Sequence, residues 1–177
     1  MSYYLSWFKT HAFLLDSKPT ATAAALTGEI TDINSITGGN PTVNIKENYH
    51  IDGDGYASKT PISKNVEDIE INFDRAADAI YSTSGTDTYS KFRSWEENNG
   101  STHKYLVVIV YRGKTGSTPA DAWEGTLYDV VPASRSDGEK GPDDIQNITQ
   151  RLAVSGGLTN LVITHSQDGT FSAALPE

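Results

Sequence analysis

The residues able to do chemistry do not form any recognised constellation. Four histidines are present, His11, His50, His103 and His165, and no two have the short spacing that brings a pair of metal ligands together on one element. Each reads as a surface or strand histidine. Asp52, Gly53, Asp54 and Gly55 begin like a calcium loop, which needs oxygen ligands at positions one, three, five and twelve. Counting from Asp52, the last two of those positions are Tyr56 and Ser63, so the stretch reads as a glycine-assisted turn. Gly113, Lys114 and Thr115 resemble the end of a phosphate-binding loop, but the glycine needed five residues earlier is Val108, and no helical pattern follows to offer its N-terminus. No Gly-x-Ser-x-Gly elbow supports a serine nucleophile, and the absence of cysteine removes thiol chemistry, disulfides and thiolate metal sites. Nothing in the spacing of the 23 acidic residues selects a pair for glycoside chemistry. Of Trp7, Trp95 and Trp123, which together with the tyrosines could line a sugar groove, Trp95 falls on a helical stripe and reads as core. Trp123, at a strand start after a polar loop, stays open.

The elements that would position these residues are organised around Val66 to Gly113. From Val66 to Asp74 the residues alternate, with Glu67, Ile69, Ile71 and Phe73 on one face and Val66, Asp68, Glu70, Asn72 and Asp74 on the other, the period of a half-buried strand. A short helical turn is expected next. Thr86 and Asp87 then offer N-cap oxygens, Tyr89, Phe92 and Trp95 recur every three residues, and Asn98, Asn99 and Gly100 supply a stop, which predicts an amphipathic helix. Tyr105 to Tyr111 is an unbroken apolar run, which suits a strand covered on both faces, by the helix on one side and by another sheet on the other.

On either side the pattern is β. Strands are expected over His11–Asp16, Gly28–Ile33, Pro41–Ile51, Trp123–Val131 and Asp144–Val154, with Leu158–His165 and Thr170–Ala174 as a terminal hairpin or arm. Thr20 to Leu26 is left undecided between strand and irregular segment. In Pro41–Ile51, Val43, Ile45, Tyr49 and Ile51 share one face, and Thr42, Asn44, Lys46, Asn48 and His50 the other. Asp52 to Lys64 is polar, lacks periodicity and is long for a hairpin connection, so it reads as an arm projecting from a sheet. Gly113–Ala120 and Ala133–Pro142 read as loops. The expected fold is mainly β (α+β), a β-sandwich or bent barrel with one flanking helix and a long inter-strand arm, in a single domain whose core spans about 28–157, with an N-terminal segment 1–27 and a C-terminal arm 158–177.

With 23 acidic against 14 basic residues the net charge is −9, which opposes direct binding to a phosphate backbone and otherwise reads as ordinary solubility. No basic leader with a cleavage site and no apolar run near the length of a membrane helix is present, so a soluble chain is expected.

The order of elements resembles the tail tube (major tail) proteins of long-tailed bacteriophages, non-contractile ones above all. The features that carry the resemblance are the Gly28-Glu29-Ile30-Thr31-Asp32-Ile33 strand, the arm from Asp52 to Lys64, and the Glu70-Ile71-Asn72-Phe73-Asp74-Arg75 strand end leading to the helix. The strand start Ala122-Trp123-Glu124-Gly125 and the strand Ile145–Gly156, ending in Val154-Ser155-Gly156, complete them. The resemblance implies a virion protein made in the host bacterial cytoplasm. It implies a structural subunit with no catalysis, cofactor or metal, which closes with copies of itself into hexameric rings stacked as a tube. The tape measure, tail terminator and distal tail proteins are its implied partners, and DNA passes through without specific binding. It assigns Asp68, Glu70 and Asn72 to an acidic lumen wall, with the Thr42, Asn44, Lys46, Asn48 and His50 face as the next candidate. It makes Asp52, Asp54, Tyr56, Lys59 and Lys64 an arm reaching the neighbouring ring. Exposed strand edges with few guarding prolines are a hazard that ring closure would remove. Two alternatives stand beside it: the tube protein of a contractile injection or secretion system, and a carbohydrate-binding β-sandwich module.

Overall fold

The computed structural model describes residues 10–48, 58–75, 87–112, 123–138, 145–166 and 168–177. The expected helical turn before the helix, the 113–120 loop, Trp7 and His50 lie outside them. Twelve strands and one helix occupy the described residues: β1 (Thr10–Leu15), β2 (Ala24–Ala25), β3 (Glu29–Ile30), β4 (Ile33–Gly38), β5 (Pro41–Asn48), β6 (Ser58–Val66), β7 (Ile69–Arg75), α1 (Thr88–Asn99), β8 (Lys104–Tyr111), β9 (Trp123–Ser136), β10 (Gln146–Val154), β11 (Thr159–His165) and β12 (Phe171–Ala174). The fold is mostly β with one helix, as the patterning predicts.

Ten strands form one curled antiparallel sheet in the order β2-β12-β11-β9-β10-β7-β4, with β8 joining β9 to β1 and β1 joining β3. The branch occurs in β9, a 14-residue strand. Its Trp123–Val130 half pairs with β8, while its other edge is used first by β11 and then, from Val130 to Ser136, by β10. A register shift at Ala133 turns the strand beside Pro132, a residue that has no N–H to donate and is tolerated where pairing is irregular. This bend carries β9 past the expected end at Val131 and puts Ala133–Ser136, expected as loop, into the sheet.

The two ends of the curl are consecutive in the chain. The expected Gly28–Ile33 strand is broken at Asp32, whose φ of 59° is left-handed, so that β3 ends one edge and β4 starts the other. Helix α1 lies against the sheet across this seam. Thr88 donates its hydroxyl to the Thr31 carbonyl (3.1 Å) and accepts the Thr31 N–H (2.9 Å), and Asp87 caps the helix by accepting the Ser90 N–H (3.1 Å). Tyr89, Phe92 and Trp95 bury the helix stripe among Ala12, Ile30, Ile69, Ile71, Phe73, Leu106, Val130, Ile148 and Leu152. The Trp95 indole N–H reaches the Thr102 carbonyl (2.8 Å), so its burial leaves no unpaired donor.

A second core lies on the opposite face of β1, β8 and the first half of β9. There β11 leaves β9 after Leu161 and folds over with β12, so that Phe13, Val107, Ile109 and Leu127 meet Leu161, Ile163, Phe171 and Ala173. Gly125 makes room for this: a Cβ there would stand 2.5 Å from the end of Ile163. The described core therefore extends beyond 28–157 at both ends, because β1 is central in the sheet and β11–β12 is a packed hairpin.

Candidate functional site

Two features remain after both cores are accounted for: a polar sheet face and a hairpin. The polar face belongs to β4, β7, β10 and the Val131–Ser136 half of β9. Their inner residues Ile36, Ile71, Phe73, Ile148 and Leu152 pack toward α1, so period two sends the alternate residues outward. Register aligns those residues in rows. Thr37, Glu70, Arg151 and Ser134 form one row, Ser35, Asn72, Thr149 and Ser136 the next, and Asp74 stands opposite Asn147 beyond them. Asp74 accepts from Asn34 on β4 (2.7 Å) and from Asn147 on β10 (3.2 Å), a carboxylate bridging three strands. Asp68, just before β7, accepts from Arg151 (2.9 Å). Glu70 and Asn72 are thus on the face expected of them, and Asp68 is at its margin rather than on a strand. Among the described residues the face carries carboxylates at Asp68, Glu70 and Asp74 against the guanidinium of Arg151. Asp74 is on the face that the alternation predicts, whereas Arg151 and Asn34 are members that sequence reasoning did not assign to it; alternation within each strand was visible, but which strands are neighbours was not.

The inner side of the same strands holds a buried polar clasp to the helix. Gln150 is fully buried and donates to Glu96 on α1 (2.9 Å) and to the Ser134 carbonyl (3.2 Å). Arg135 forms ion pairs with Glu96 and with Asp137 (2.9 Å for the latter), and the guanidinium groups of Arg75 and Arg135 lie 3.8 and 5.1 Å from the centre of the Tyr89 ring. These charge-assisted contacts fix α1 behind the polar face.

The hairpin is a separate two-stranded sheet in which β5 and β6 pair from Pro41↔Val66 to Asn48↔Ser58. The expected loop from Asp52 to Lys64 thus ends earlier, because Ser58 onward pairs with β5. The strand expected to open at Val66 instead ends there, and β7 begins at Ile69. Lys59 and Lys64 lie on β6, with Lys59 paired to Glu47 (3.1 Å), while Asp52, Asp54 and Tyr56 fall outside the described residues. Val43, Ile45 and Ile62 are 48%, 55% and 63% exposed, an apolar surface that the chain itself leaves uncovered among the described residues. Thr42, Asn44 and Lys46, the second lumen candidates, are exposed on this hairpin and not on the polar face of the main sheet.

The remaining chemical candidates are dispersed. Among the described residues no three of His, Cys, Asp or Glu are grouped to hold a metal, and no helix is long and apolar enough to cross a membrane. His11 bonds Glu29 (2.7 Å) and His103 bonds Asp129 (2.6 Å). His165 and His11 flank Phe171, with centroids at 4.4 and 4.8 Å, and both approach Trp123. The Trp123 ring also meets Tyr111 at 5.1 Å and Phe171 at 4.8 Å, so it is engaged in a tilted ring cluster rather than displayed as a flat sugar platform.

No family model matches the chain, and no curated protein matches it in sequence. Solved structures do match in shape. The cap of the anti-feeding prophage, its tube-terminating cap, is 12% identical with a TM-score of 0.59 over 90% of this chain and 92% of its own. A chain of the sheath–tube complex of the extracellular contractile injection system PVC, in the extended state, is 14% identical with a TM-score of 0.59 over 89% and 91%. The fold is shared with components of contractile injection particles. The sheath/tube terminator of the same PVC system matches as well, at 13% identity and a TM-score of 0.59 over 90% and 97%. At such identities the likeness is one of fold.

Proposed function

We propose that this chain is a structural subunit of a phage-like tail tube, closing with its own copies into rings that stack as a conduit. The observation that carries the reading is the four-stranded polar sheet with its two open margins. Among the described residues β4 pairs only with β7, and Val131–Ser136 of β9 pairs only with β10. A sheet edge left as bare N–H and C=O groups is a template for another strand. Pairing β4 of one copy with the β9 margin of the next is a head-to-tail contact, which generates a ring when the rotation closes. The polar rows then face one way around that ring, and Glu70, Asp74 and the flanking Asp68, set against Arg151, give its wall a net negative charge that disfavours adhesion of a passing polyanion.

In this reading the β5–β6 hairpin reaches the adjacent ring, covering Val43, Ile45 and Ile62, and DNA is the cargo. Hexameric closure, self-assembly and DNA passage rest on the sequence resemblance to phage tail tubes. A second reading, the tube or terminating ring of a contractile injection particle, is favoured by the nature of the solved structures that share the fold.

Electron microscopy of the concentrated protein tests both. Stacked rings or filaments are expected; isolated rings that do not stack indicate a terminator, and a persistent monomer overturns the proposal. Replacing residues 42–65 by a short Gly-Ser turn is expected to leave a folded protein that no longer stacks.

A further inference from the structure

We infer that the Arg151 guanidinium is a latch that sets the direction in which the β5–β6 hairpin leaves the body. The hairpin stands on two stems. The first runs through Gly38 and Gly39, with φ of 88° and 71°. A Cβ at Gly38 would stand 2.0 Å from the Asp68 carbonyl oxygen, and one at Gly39 would stand 2.9 Å from the Tyr128 hydroxyl, so the chain passes where only glycine fits.

The second stem, Glu67–Asp68, is tied to the first: the Glu67 N–H donates to the Asn40 carbonyl (3.0 Å), and the Asn40 amide donates to the Glu67 carboxylate (2.9 Å). Those bonds hold the stems to each other, while Gly38 pairs with Ile69 and Gly39 is buried beside Tyr128, so a tilt of the hairpin would pivot beyond these two glycines. What joins the stems to the body by charge is Arg151, whose Nε and Nη2 both reach Asp68 Oδ2, at 3.1 and 2.9 Å. Arg151 stands opposite Glu70 in the β10–β7 register, so it lies between a stem carboxylate and a sheet carboxylate. A cleft of about 520 Å³ lined by Gly38, Val66, Glu67, Asp68, Glu70 and Arg151 occupies this angle, and gives the hairpin room to move when the latch opens. The pair is too exposed to decide whether the protein folds, being 51% and 34% accessible. Its effect is on orientation: without the cation, Glu67, Asp68 and Glu70 repel across the joint.

The inference concerns the single subunit and stands or falls independently of any tube. Because the chain contains no cysteine, spin labels can be placed at Thr60→Cys on β6 and Asn160→Cys on β11, both exposed, and their separation measured by pulsed dipolar spectroscopy on dilute monomer. The parent is expected to give a narrow distance distribution at low salt. Arg151→Gln and Asp68→Asn are each expected to broaden it with no change in the unfolding midpoint, and Arg151→Lys to retain part of the order. Raising salt to about 1 M, where screening acts over roughly 3 Å, is expected to broaden the parent and to shrink its difference from Arg151→Gln. The salt series needs no substitution at the latch, so it decides the question even if a variant folds poorly. A parent already broad at low salt, or a distribution that neither charge removal nor salt alters, overturns the latch.

Discussion

Strands β8 and β7 both belong to the one curled sheet and both face α1, yet they differ in what lies behind them. In β8, Leu106 meets the helix core while Val107 and Ile109 enter the second core under β11 and β12. In β7, Ile69, Ile71 and Phe73 meet the same helix core, while on the opposite face Glu70 is exposed and Asn72 and Asp74 are half-buried. Strands buried on two faces lose water from every side chain, and strands buried on one face gain half of that and keep a row of polar groups for other use. The division places the doubly covered strands in β1, β8 and the first half of β9, and the strands with one packed and one polar face in β4, β7, β10 and the far half of β9. The bend at Ala133 separates the two regimes within a single strand.

The sharpest way to break this division is to truncate one residue from each half. Ile109→Ala removes a fully buried side chain from the doubly covered strand and is expected to cost about 2–5 kcal/mol, read from the urea midpoint. Thr149→Ala, on the polar face of β10, is expected to stay within about 0.5 kcal/mol. Equal losses would mean that the polar face is covered in the isolated protein. Gln150→Ala falls between them. It takes a buried amide from the inner side of β10, leaves Glu96 and the Ser134 carbonyl short of a donor, and is expected to cost about 1–3 kcal/mol. A cost below that range would show that the clasp behind the polar face does not depend on the amide.

The same division explains which parts of the chain were legible. Alternation from Ile69 to Asp74 and the unbroken run from Tyr105 to Tyr111 announce one covered face and two, and the structure supplies both. The helix was legible because its cap and its stripe agree. Strand β6 was not: in Ser58-Lys59-Thr60-Pro61-Ile62-Ser63-Lys64-Asn65 the side chains from Lys59 to Asn65 are exposed, so burial imposes no period, and only pairing with β5 makes the segment a strand. Ala133 to Ser136 was misread for a related reason, since Pro132 and two serines look like a turn when the strand they extend bends through a bulge. The polar rows needed partners far apart in sequence. Asp74 meets Asn34 and Asn147, and Asp68 meets Arg151, and such pairings follow from sheet order, which local pattern does not contain.

A smaller test concerns the hairpin that covers the second face of β8. In the β11–β12 turn the Asp168 carboxylate accepts from the Ser166 hydroxyl and from the Thr170 N–H (3.1 Å), and those bonds hold its pKa below the ordinary carboxylate range. A carboxyl whose pKa is lowered by folding contributes stability that is fully present above the unfolded value, about 3.9, and is lost as the pH falls through the folded value. The side chain is fully exposed, so the contribution is small and belongs to the turn. Asp168→Asn is therefore expected to lower the urea midpoint slightly at neutral pH. The difference from the parent should shrink as acid protonates Asp168, because both chains then carry a neutral group at that position. A difference that persists unchanged into acid would assign the effect to amide packing in the turn rather than to the carboxylate. Amide exchange at Val107 and Ile109 would show whether loosening this turn uncovers β8, which is the one change that would make the two halves of the sheet alike.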